Sequence, residues 1–275
     1  MEYKKLGMIA GNGLLPAEVV NHCKNTSREL FVVGLEPFVI EENLKEVPYT
    51  LAKIAEVGKI FKAMKSNDVK EIVFAGGIHR PSFSELIPDW EGTKLLAKLA
   101  FKNMSDDSIF RVLFEEIEKQ GFTVVGAEEV VPELLFKEGV YGKVKPSPED
   151  MLDIQRGILV SKALGSVDVG QACVVQESMV LAVEAMEGTD AMLSRAASIV
   201  RKGKKPVMVK IVKPNQETRV DLPVIGTQTI MQLEKYGIKG MAVQSGGILL
   251  IEREKVIKMA DDFGIFIIGI DISKD

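Results

Sequence analysis

The chain is poor in the residues that build metal clusters and disulfide frameworks. Its 275 residues include only two cysteines, Cys23 and Cys173, and neither has a second cysteine at the spacing of a zinc ligand. No zinc site or disulfide framework is therefore indicated. The low number of cysteines is consistent with a reducing, cytoplasmic location. Only two histidines are present, which disfavours a histidine-rich phosphoesterase site.

Long apolar runs and blocks of basic residues are also missing. No stretch approaches the roughly 18 uncharged residues that a spanning helix needs. The apolar segment 6–20 is interrupted by Asn12 and Pro16, which makes it a poor secretory signal. We therefore expect any membrane contact to be peripheral. The net charge is -4 and the lysines and arginines are scattered, which argues against a nucleic-acid partner.

Apolar residues are abundant enough for substantial cores, because 46% of the chain is hydrophobic. In the N-terminal half, strand-like and helix-like segments alternate. We predict strands at 6–10, 30–35, 71–75 and 122–125, and helices at 14–23, 57–64, 93–103 and 106–120. This alternation predicts an α/β domain with a Rossmann-like parallel sheet, whose ligands lie at the carboxyl ends of the strands.

A polar segment with several glycines and prolines, 137–148, marks the predicted boundary between two domains, residues 1–140 and residues 141–275. The second domain is predicted to be α/β with a mixed sheet. Its strands are placed at 172–176, 179–184, 207–212, 241–244, 248–252 and 266–270, and its helices at 149–163, 189–201, 227–236 and 253–263. Short turns at 177–178 and 245–247 imply hairpins between their flanking strands.

Two glycine motifs follow strands of the first domain. They are Gly11-Asn12-Gly13, which opens the first helix, and Gly76-Gly77-Ile78-His79-Arg80. Backbone amides in such motifs can hold a phosphate, and Arg80 can pair with it, so we take both motifs as candidates for substrate binding. Tight turns with a solvated arginine explain the same residues equally well.

Glu36 supports a different interpretation of the first domain. It ends the second predicted strand, where dinucleotide-binding folds place the acid that binds a ribose. An NAD-dependent oxidoreductase is therefore one alternative. Against it, Pro16 stands where the third glycine of the dinucleotide fingerprint is expected, and Pro37 makes Glu36 an equally good turn residue.

An apolar segment, 83–90, contains the only tryptophan and follows the second glycine motif. Its large side chains suit contact with an acyl chain or with a bilayer surface. An ordinary helix packed on the sheet is the competing interpretation.

The C-terminal half concentrates acidic residues next to predicted helix starts. The sequence Glu187-Gly188-Thr189-Asp190 follows a strand, with Thr189 as the predicted N-cap and Asp190 as a first-turn acid. Asp221 precedes a second glycine and threonine pair, 226–227. Carboxylates of this kind suit Mg2+, which takes one or two of them together with phosphate oxygens and water. Helix capping alone is the simpler explanation for Asp190.

Two lysines accompany these acids as candidate groups for phosphate binding. Lys210 lies inside an apolar strand pattern, where a charge needs a partner if the strand is central. Lys213 follows three residues later. An edge strand with a solvated lysine is the alternative.

Taken together, these segments resemble the LpxI family of UDP-2,3-diacylglucosamine pyrophosphatases. Asn12 stands where the family pattern has glycine, and the acidic stretch that ends at Asp190 is the most specific part of the match. The matching stretches are residues 9–16, 170–175, 181–193, 210–214 and 221–226.

The resemblance implies a Mg2+-dependent hydrolase that cleaves UDP-2,3-diacylglucosamine to UMP and 2,3-diacylglucosamine 1-phosphate in lipid A biosynthesis. It also implies two domains with the ligand between them and a homodimer. We place any peripheral membrane contact at the cytoplasmic face of the inner membrane. The essential aspartate of the family corresponds to Asp221, with Glu187 and Asp190 as further candidates for catalysis and metal binding. A non-catalytic protein that binds a nucleotide sugar or a lipid remains the second alternative.

Overall fold

The computed structural model describes residues 4–78, 88–100, 106–214, 219–220 and 222–274. Its internal contacts divide the chain into two compact units. One is Met1–Glu133 with Glu217–Asp221, and the other is Leu134–Gln216 with Leu222–Asp275. The fold class predicted from the sequence is confirmed, because each unit is α/β and their sheets are parallel and mixed respectively.

The first unit is built on a five-stranded parallel sheet of strand order β3-β2-β1-β4-β5, the order of the first five strands of a dinucleotide-binding fold. The strands are β1 (Leu6–Ala10), β2 (Leu30–Glu36), β3 (Tyr49–Lys53), β4 (Glu71–Ala75) and β5 (Thr123–Val125). The helices are α1 (Leu15–Asn25), α2 (Val57–Ser66), α3 (Trp90–Ala100), α4 (Asp106–Lys119) and α5 (Ala127–Val130).

The centre of this sheet consists of strands that are apolar along their whole length. All five residues of β1 are buried, and Ile9 pairs with Val33 on one side and with Phe74 on the other. Strands buried on both faces need continuous apolar sequence rather than alternation, which is why the sequence located them well. Phe61 and Phe122 stack beside them in the core.

The second unit contains a six-stranded mixed sheet of order β6-β13-β11-β9-β7-β8 and a separate two-stranded parallel pair, β10 and β12. The strands are β6 (Gly139–Tyr141), β7 (Ala172–Gln176), β8 (Met179–Val183), β9 (Val207–Lys210), β10 (Val224–Ile225), β11 (Gly240–Gln244), β12 (Leu249–Leu250) and β13 (Phe266–Ile270). The helices are α6 (Pro148–Ser166), α7 (Gly188–Ala197), α8 (Thr227–Lys235) and α9 (Arg253–Phe263).

The directions of the strands place the carboxyl ends of several of them at one edge of this sheet. Strands β9, β11 and β13 run parallel, and β7 is antiparallel to both β9 and β8. The carboxyl ends of β8, β9, β11 and β13 therefore lie at the same edge as the start of β7. We call this edge the carboxyl edge of the second sheet.

Helices cover both faces of the second sheet. Alternate residues of β9 show the division, since Val209 packs in the cluster that includes Ile154 and Ile158 of α6. Met208 packs in the opposite cluster, which includes residues of α7, α8 and α9. Because side chains alternate along a strand, Lys210 lies on the Met208 side.

Most predicted elements of both units are confirmed, and the exceptions have physical reasons. The predicted hairpin across residues 245–247 is wrong, because β11 pairs with β9 and β13 while β12 pairs with β10. The predicted hairpin across residues 177–178 is confirmed by the antiparallel pairing of β7 and β8. The short strands β3, β6 and β10 were not predicted; β3 has a single fully buried residue and lacks a continuous apolar run.

The division between the units falls before the expected boundary at residue 140, because β6 pairs with β13 and belongs to the second sheet. Within the described ranges, no helix combines the length and apolar character that crossing a bilayer requires.

Candidate functional site

The two glycine motifs of the first unit lie side by side at the carboxyl ends of β1 and β4. The N–H of Asn12 donates to the carbonyl of Gly77 at 2.8 Å, and the N–H of Gly77 donates back to Asn12 at 2.9 Å. These bonds form an isolated antiparallel bridge. Backbone hydrogen bonds therefore hold the two glycine motifs against each other.

This bridge explains two of the glycines without a ligand. A Cβ on Gly11 would lie 2.5 Å from the carbonyl oxygen of Gly77, and Gly76 has a φ of +91° and equally close backbone neighbours. Gly13 and Gly77, by contrast, have open space where a Cβ would be. Substrate binding by these glycines stays a prediction, and only the open pair is free of a packing explanation.

The remaining candidates of the first unit are only partly described. Arg80 and His79 lie outside the described residues, as does most of the apolar segment 83–90. Trp90 begins α3 and is 72% exposed, with the Lys94 ammonium 5.1 Å from the centre of its ring. Glu36 is the exposed last residue of β2.

In the second unit, a polar cluster occupies the carboxyl edge of the sheet. Lys210 ends β9, Glu184 follows β8, and Thr189 lies in the first turn of α7. The Lys210 ammonium donates to the Thr189 hydroxyl oxygen at 2.6 Å and lies 3.5 Å from the Glu184 carboxylate. The Thr189 hydroxyl donates to the same carboxylate oxygen of Glu184. We call these three residues the edge cluster.

Sheet register places the edge cluster around one small residue. Ala172 pairs with Lys210 on one side and accepts a hydrogen bond from the Glu184 N–H at 2.8 Å on the other. A methyl group between the two long side chains leaves room for them to meet above it. The Gln171 N–H also donates to the second carboxylate oxygen of Glu184 at 3.3 Å.

Burial makes the edge cluster an electrostatic unit. Glu184 is 6% exposed and Lys210 is 8% exposed. A lone buried charge is costly, so each of these groups needs the other, together with the hydroxyl and the backbone N–H. The structure thus resolves the alternative left open by the sequence: β9 is a central strand, and Lys210 is partnered rather than solvated.

The predicted role of Thr189 as a helix cap is wrong. Helix α7 starts at Gly188, and its N-cap residue is Glu187, which makes no side-chain capping bond. Gly188, with a φ of +80°, is the first residue of the helix, and the N-cap lies two residues earlier than predicted. The Thr189 hydroxyl is thereby available to Lys210 and Glu184.

Two of the three carboxylates predicted to bind metal, Glu187 and Asp190, are described. Glu187 forms an ion pair with Arg195, whose guanidinium also donates to the Val183 carbonyl at 2.7 Å. Hydrogen bonds from backbone N–H groups, with Arg195, hold the pKa of the Glu187 carboxyl below its ordinary value. Asp190 is exposed on α7.

Asp221 lies outside the described residues. Two of its neighbours are described: Val220 packs on the core of the first unit, and the Arg219 guanidinium lies 4.4 Å from the centre of the Phe114 ring. Across the described ranges, no three histidine, cysteine or acidic side chains gather as a metal site would require.

Lys213 lies beyond the edge cluster and pairs with Asp168 at 2.8 Å. Sequence reasoning missed Glu184 of the edge cluster and the Gln171 N–H that donates to it. The sequence did contain an indication for Glu184: a lysine in a central strand requires a buried acceptor, and Glu184 is the acid that ends the neighbouring predicted strand.

Comparison with known proteins covers nearly the whole chain. Residues 5–134 match the family model described as LpxI N-terminal domain, and residues 137–268 match the one described as LpxI C-terminal domain. A relative from Caulobacter vibrioides, named UDP-2,3-diacylglucosamine pyrophosphatase LpxI, is 43% identical over 275 residues, which is 98% of each chain.

Proposed function

Because this chain belongs to the LpxI family, we propose that it hydrolyses UDP-2,3-diacylglucosamine to UMP and 2,3-diacylglucosamine 1-phosphate in lipid A biosynthesis. The observation that carries the proposal is the similarity to a relative named for this pyrophosphatase activity, at 43% identity over 98% of both chains. Similarity over both units favours hydrolysis over the two alternatives, a dinucleotide-dependent oxidoreductase and a non-catalytic binding protein.

The reaction breaks one phosphoanhydride bond with water. The water oxygen forms a new bond to one phosphorus atom, the bridging oxygen leaves with the other phosphate, and the protons released go to solvent or to a protein base. No redox change occurs. Negative charge develops on the phosphate oxygens, so a catalyst must place cations and N–H donors beside them.

The edge cluster has the chemistry for that task. Lys210 offers an ammonium at the N-terminal turn of α7, where the backbone N–H groups of a helix also favour an anion. Lys213 follows on the same segment and offers a second ammonium once its surface pair with Asp168 opens. We assign charge stabilisation to these two lysines and to the backbone at Gly188 and Thr189.

Mg2+ is the cofactor that this proposal includes. When bound, it would supply positive charge to the phosphate oxygens and would lower the pKa of its bound water. Glu187 already pairs with Arg195, whereas Asp190 is exposed and open to solvent. These donors fit a cation that takes few protein carboxylates and keeps several waters. Asp221 is our first choice as its ligand, with Asp190 and Glu187 next.

The substrate glycines complete the proposal. Gly13 and Gly77 leave the backbone uncovered at the carboxyl edge of the first sheet, as ligand contact requires. Gly11, Asn12 and Gly76 support them through the bridge between the motifs. Arg80 would add a guanidinium for a phosphate oxygen.

Replacement of Asp221 tests the assignment of the essential acid. We expect the purified protein, incubated with UDP-2,3-diacylglucosamine and MgCl2, to release UMP, and Asp221→Ala to release it at least about 100-fold more slowly. Chelation of Mg2+ should stop release by the unmodified protein. Product is measured by liquid chromatography.

The matched control for this test is Asp262→Ala, which removes an exposed aspartate of α9. It should keep the unmodified rate, and thermal melting should show that both variants remain folded. UMP release by Asp221→Ala near the unmodified rate would remove this residue from the mechanism. Recovery of intact substrate with the unmodified protein would favour a binding protein.

We also propose a homodimer that contacts the cytoplasmic face of the inner membrane. The diacylated substrate supports the membrane contact, as does the exposed Trp90 beside Lys94, a pairing suited to lipid headgroups. Light scattering should give twice the mass of one chain. Flotation with anionic vesicles should carry the protein upward, and Trp90→Ala should weaken that association.

A further inference from the structure

Glu184 is the acceptor on which the edge cluster depends. Three donors converge on its two carboxylate oxygens: the Thr189 hydroxyl and the Lys210 ammonium at one oxygen, and the Gln171 N–H at the other. Only an ionised carboxylate accepts at both oxygens without presenting a proton of its own. An amide at this position would place an NH2 group against one of the donors.

The position of Lys210 needs this acceptor for an electrostatic reason. Its ammonium lies beside the N-terminal turn of α7, so two positive features are neighbours in a buried setting. Glu184 offsets both. Thr189 transmits the effect, because its hydroxyl donates to Glu184 and its oxygen is thereby presented to the lysine.

The two acceptors do not use all the N–H donors of the Lys210 ammonium. An ammonium has three N–H donors, and the described residues give Lys210 two hydrogen-bond acceptors, Thr189 and Glu184. A fixed ammonium with a donor to spare, at the carboxyl edge of a sheet, is preorganised for an anionic oxygen. Preorganisation matters most when charge develops during the reaction.

We propose that Glu184 is a positioning residue, which acts through Thr189 to hold the Lys210 ammonium toward the phosphate charge that develops during hydrolysis. The proposal rests on the proposed function. Glu184 itself does not contact the substrate, and it contributes to the chemical step rather than to substrate affinity.

A double-mutant cycle tests whether Glu184 acts through Lys210. We expect Glu184→Gln to lower kcat about tenfold and Lys210→Met about 100-fold, with KM changed less than about threefold in each. If Glu184 acts only by placing Lys210, the double variant should match Lys210→Met within about twofold. Rates are measured as UMP release from UDP-2,3-diacylglucosamine.

A second pair of variants avoids the buried charge. Thr189→Val keeps the shape of the side chain but breaks the hydrogen-bond relay, so kcat should fall about as far as in Glu184→Gln. Thr189→Ser keeps the hydroxyl and should retain most of the rate. Glu234→Gln, on the exposed side of α8, is the control for loss of an acid and should not change kcat.

The outcomes separate this inference from the function on which it rests. Unmodified protein that releases no UMP overturns both. Active unmodified protein with an additive cycle, in which the double variant is about 1000-fold slower, overturns the positioning role alone. Unchanged kcat in both Glu184→Gln and Thr189→Val does the same.

Discussion

At the residue scale, the buried acids of the second unit have different hydrogen-bond partners, and their positions in the sequence did not predict which partner each one has. Asp153 accepts from the N–H groups of Glu177 and Ser178, at 3.1 and 2.6 Å, and so holds the β7–β8 turn. Both turn residues have positive φ, as a two-residue hairpin turn requires. Glu184, equally buried, faces a lysine instead. The sequence predicts acids near turns, but only tertiary contacts decide their partners.

Asp150 is the residue at which stability should depend on pH. Burial alone would raise the pKa of its carboxyl, but hydrogen bonds from Lys239 and Ser147 outweigh it, so the pKa lies below its ordinary value. A depressed folded-state pKa stabilises the fold above the unfolded pKa of about 3.9, and this stabilisation is lost as pH falls through the folded value.

Asp150→Asn should therefore lower the free energy of unfolding by about 1–2 kcal/mol at pH 7, because the bond from Lys239 loses its charge. The difference in Tm between variant and unmodified protein should stay constant above about pH 5 and shrink below about pH 4. Thermal melts across this range measure it. A difference that grows as pH falls would contradict the assignment, and Asp262→Asn is the exposed control.

At the element scale, the pattern of apolar residues predicted the bounds of several buried strands. The strands β1, β4, β7 and β13 have the predicted bounds, because each is a short apolar run between turn residues. The pairing of β12 was missed for a reason of geometry. Its two residues, Leu249 and Leu250, pair with Val224 and Ile225 of β10, which is distant in sequence. A strand of two residues is too short to give a recognisable sequence pattern.

In helix α6, we expect a glycine-to-alanine replacement to lower the stability of the fold, although alanine has the higher intrinsic helix propensity. Gly157 faces β9, and a Cβ there would overlap the side chain of Val209. Replacement of a helical glycine by alanine usually stabilises by about 1 kcal/mol. Here Gly157→Ala should destabilise by about 1–3 kcal/mol, because overpacking moves the helix from the sheet.

Chemical denaturation measures this effect in two backgrounds. Val209→Ala removes the methyl carbon that the new Cβ would meet at 2.3 Å and leaves the Val209 Cβ at 2.8 Å, so Gly157→Ala should cost less in that background than in the unmodified protein. Equal costs in both backgrounds would mean that the contact with Val209 is not the cause. Stabilisation in both would show that α6 tolerates the added methyl group.

At the scale of the whole molecule, the sequence predicted two α/β units and the family, but it singled out only two of the three residues of the edge cluster. Lys210 and Thr189 were chosen as candidates from separate motifs, and the fold joins them. The reason they meet is the register of β7 between β8 and β9, with Ala172 opposite Lys210. Register depends on pairing between distant strands, which periodicity in a single strand does not contain.

The family and the edge cluster support the same chemistry from independent observations. Family membership rests on similarity along both units, whereas the cluster rests on distances within one of them. A hydrolase of a phosphoanhydride needs preorganised positive charge, and the cluster is a buried ammonium with a fixed orientation.

The most direct test of the proposed hydrolysis follows the phosphorus atoms of the substrate. UDP-2,3-diacylglucosamine incubated with the protein and MgCl2 is followed by phosphorus-31 magnetic resonance. We expect the two pyrophosphate resonances to decline together while two phosphomonoester resonances, of UMP and of 2,3-diacylglucosamine 1-phosphate, grow in equal amounts. Pyrophosphate resonances that persist with folded protein, or products other than these two monoesters, would contradict the proposed hydrolysis.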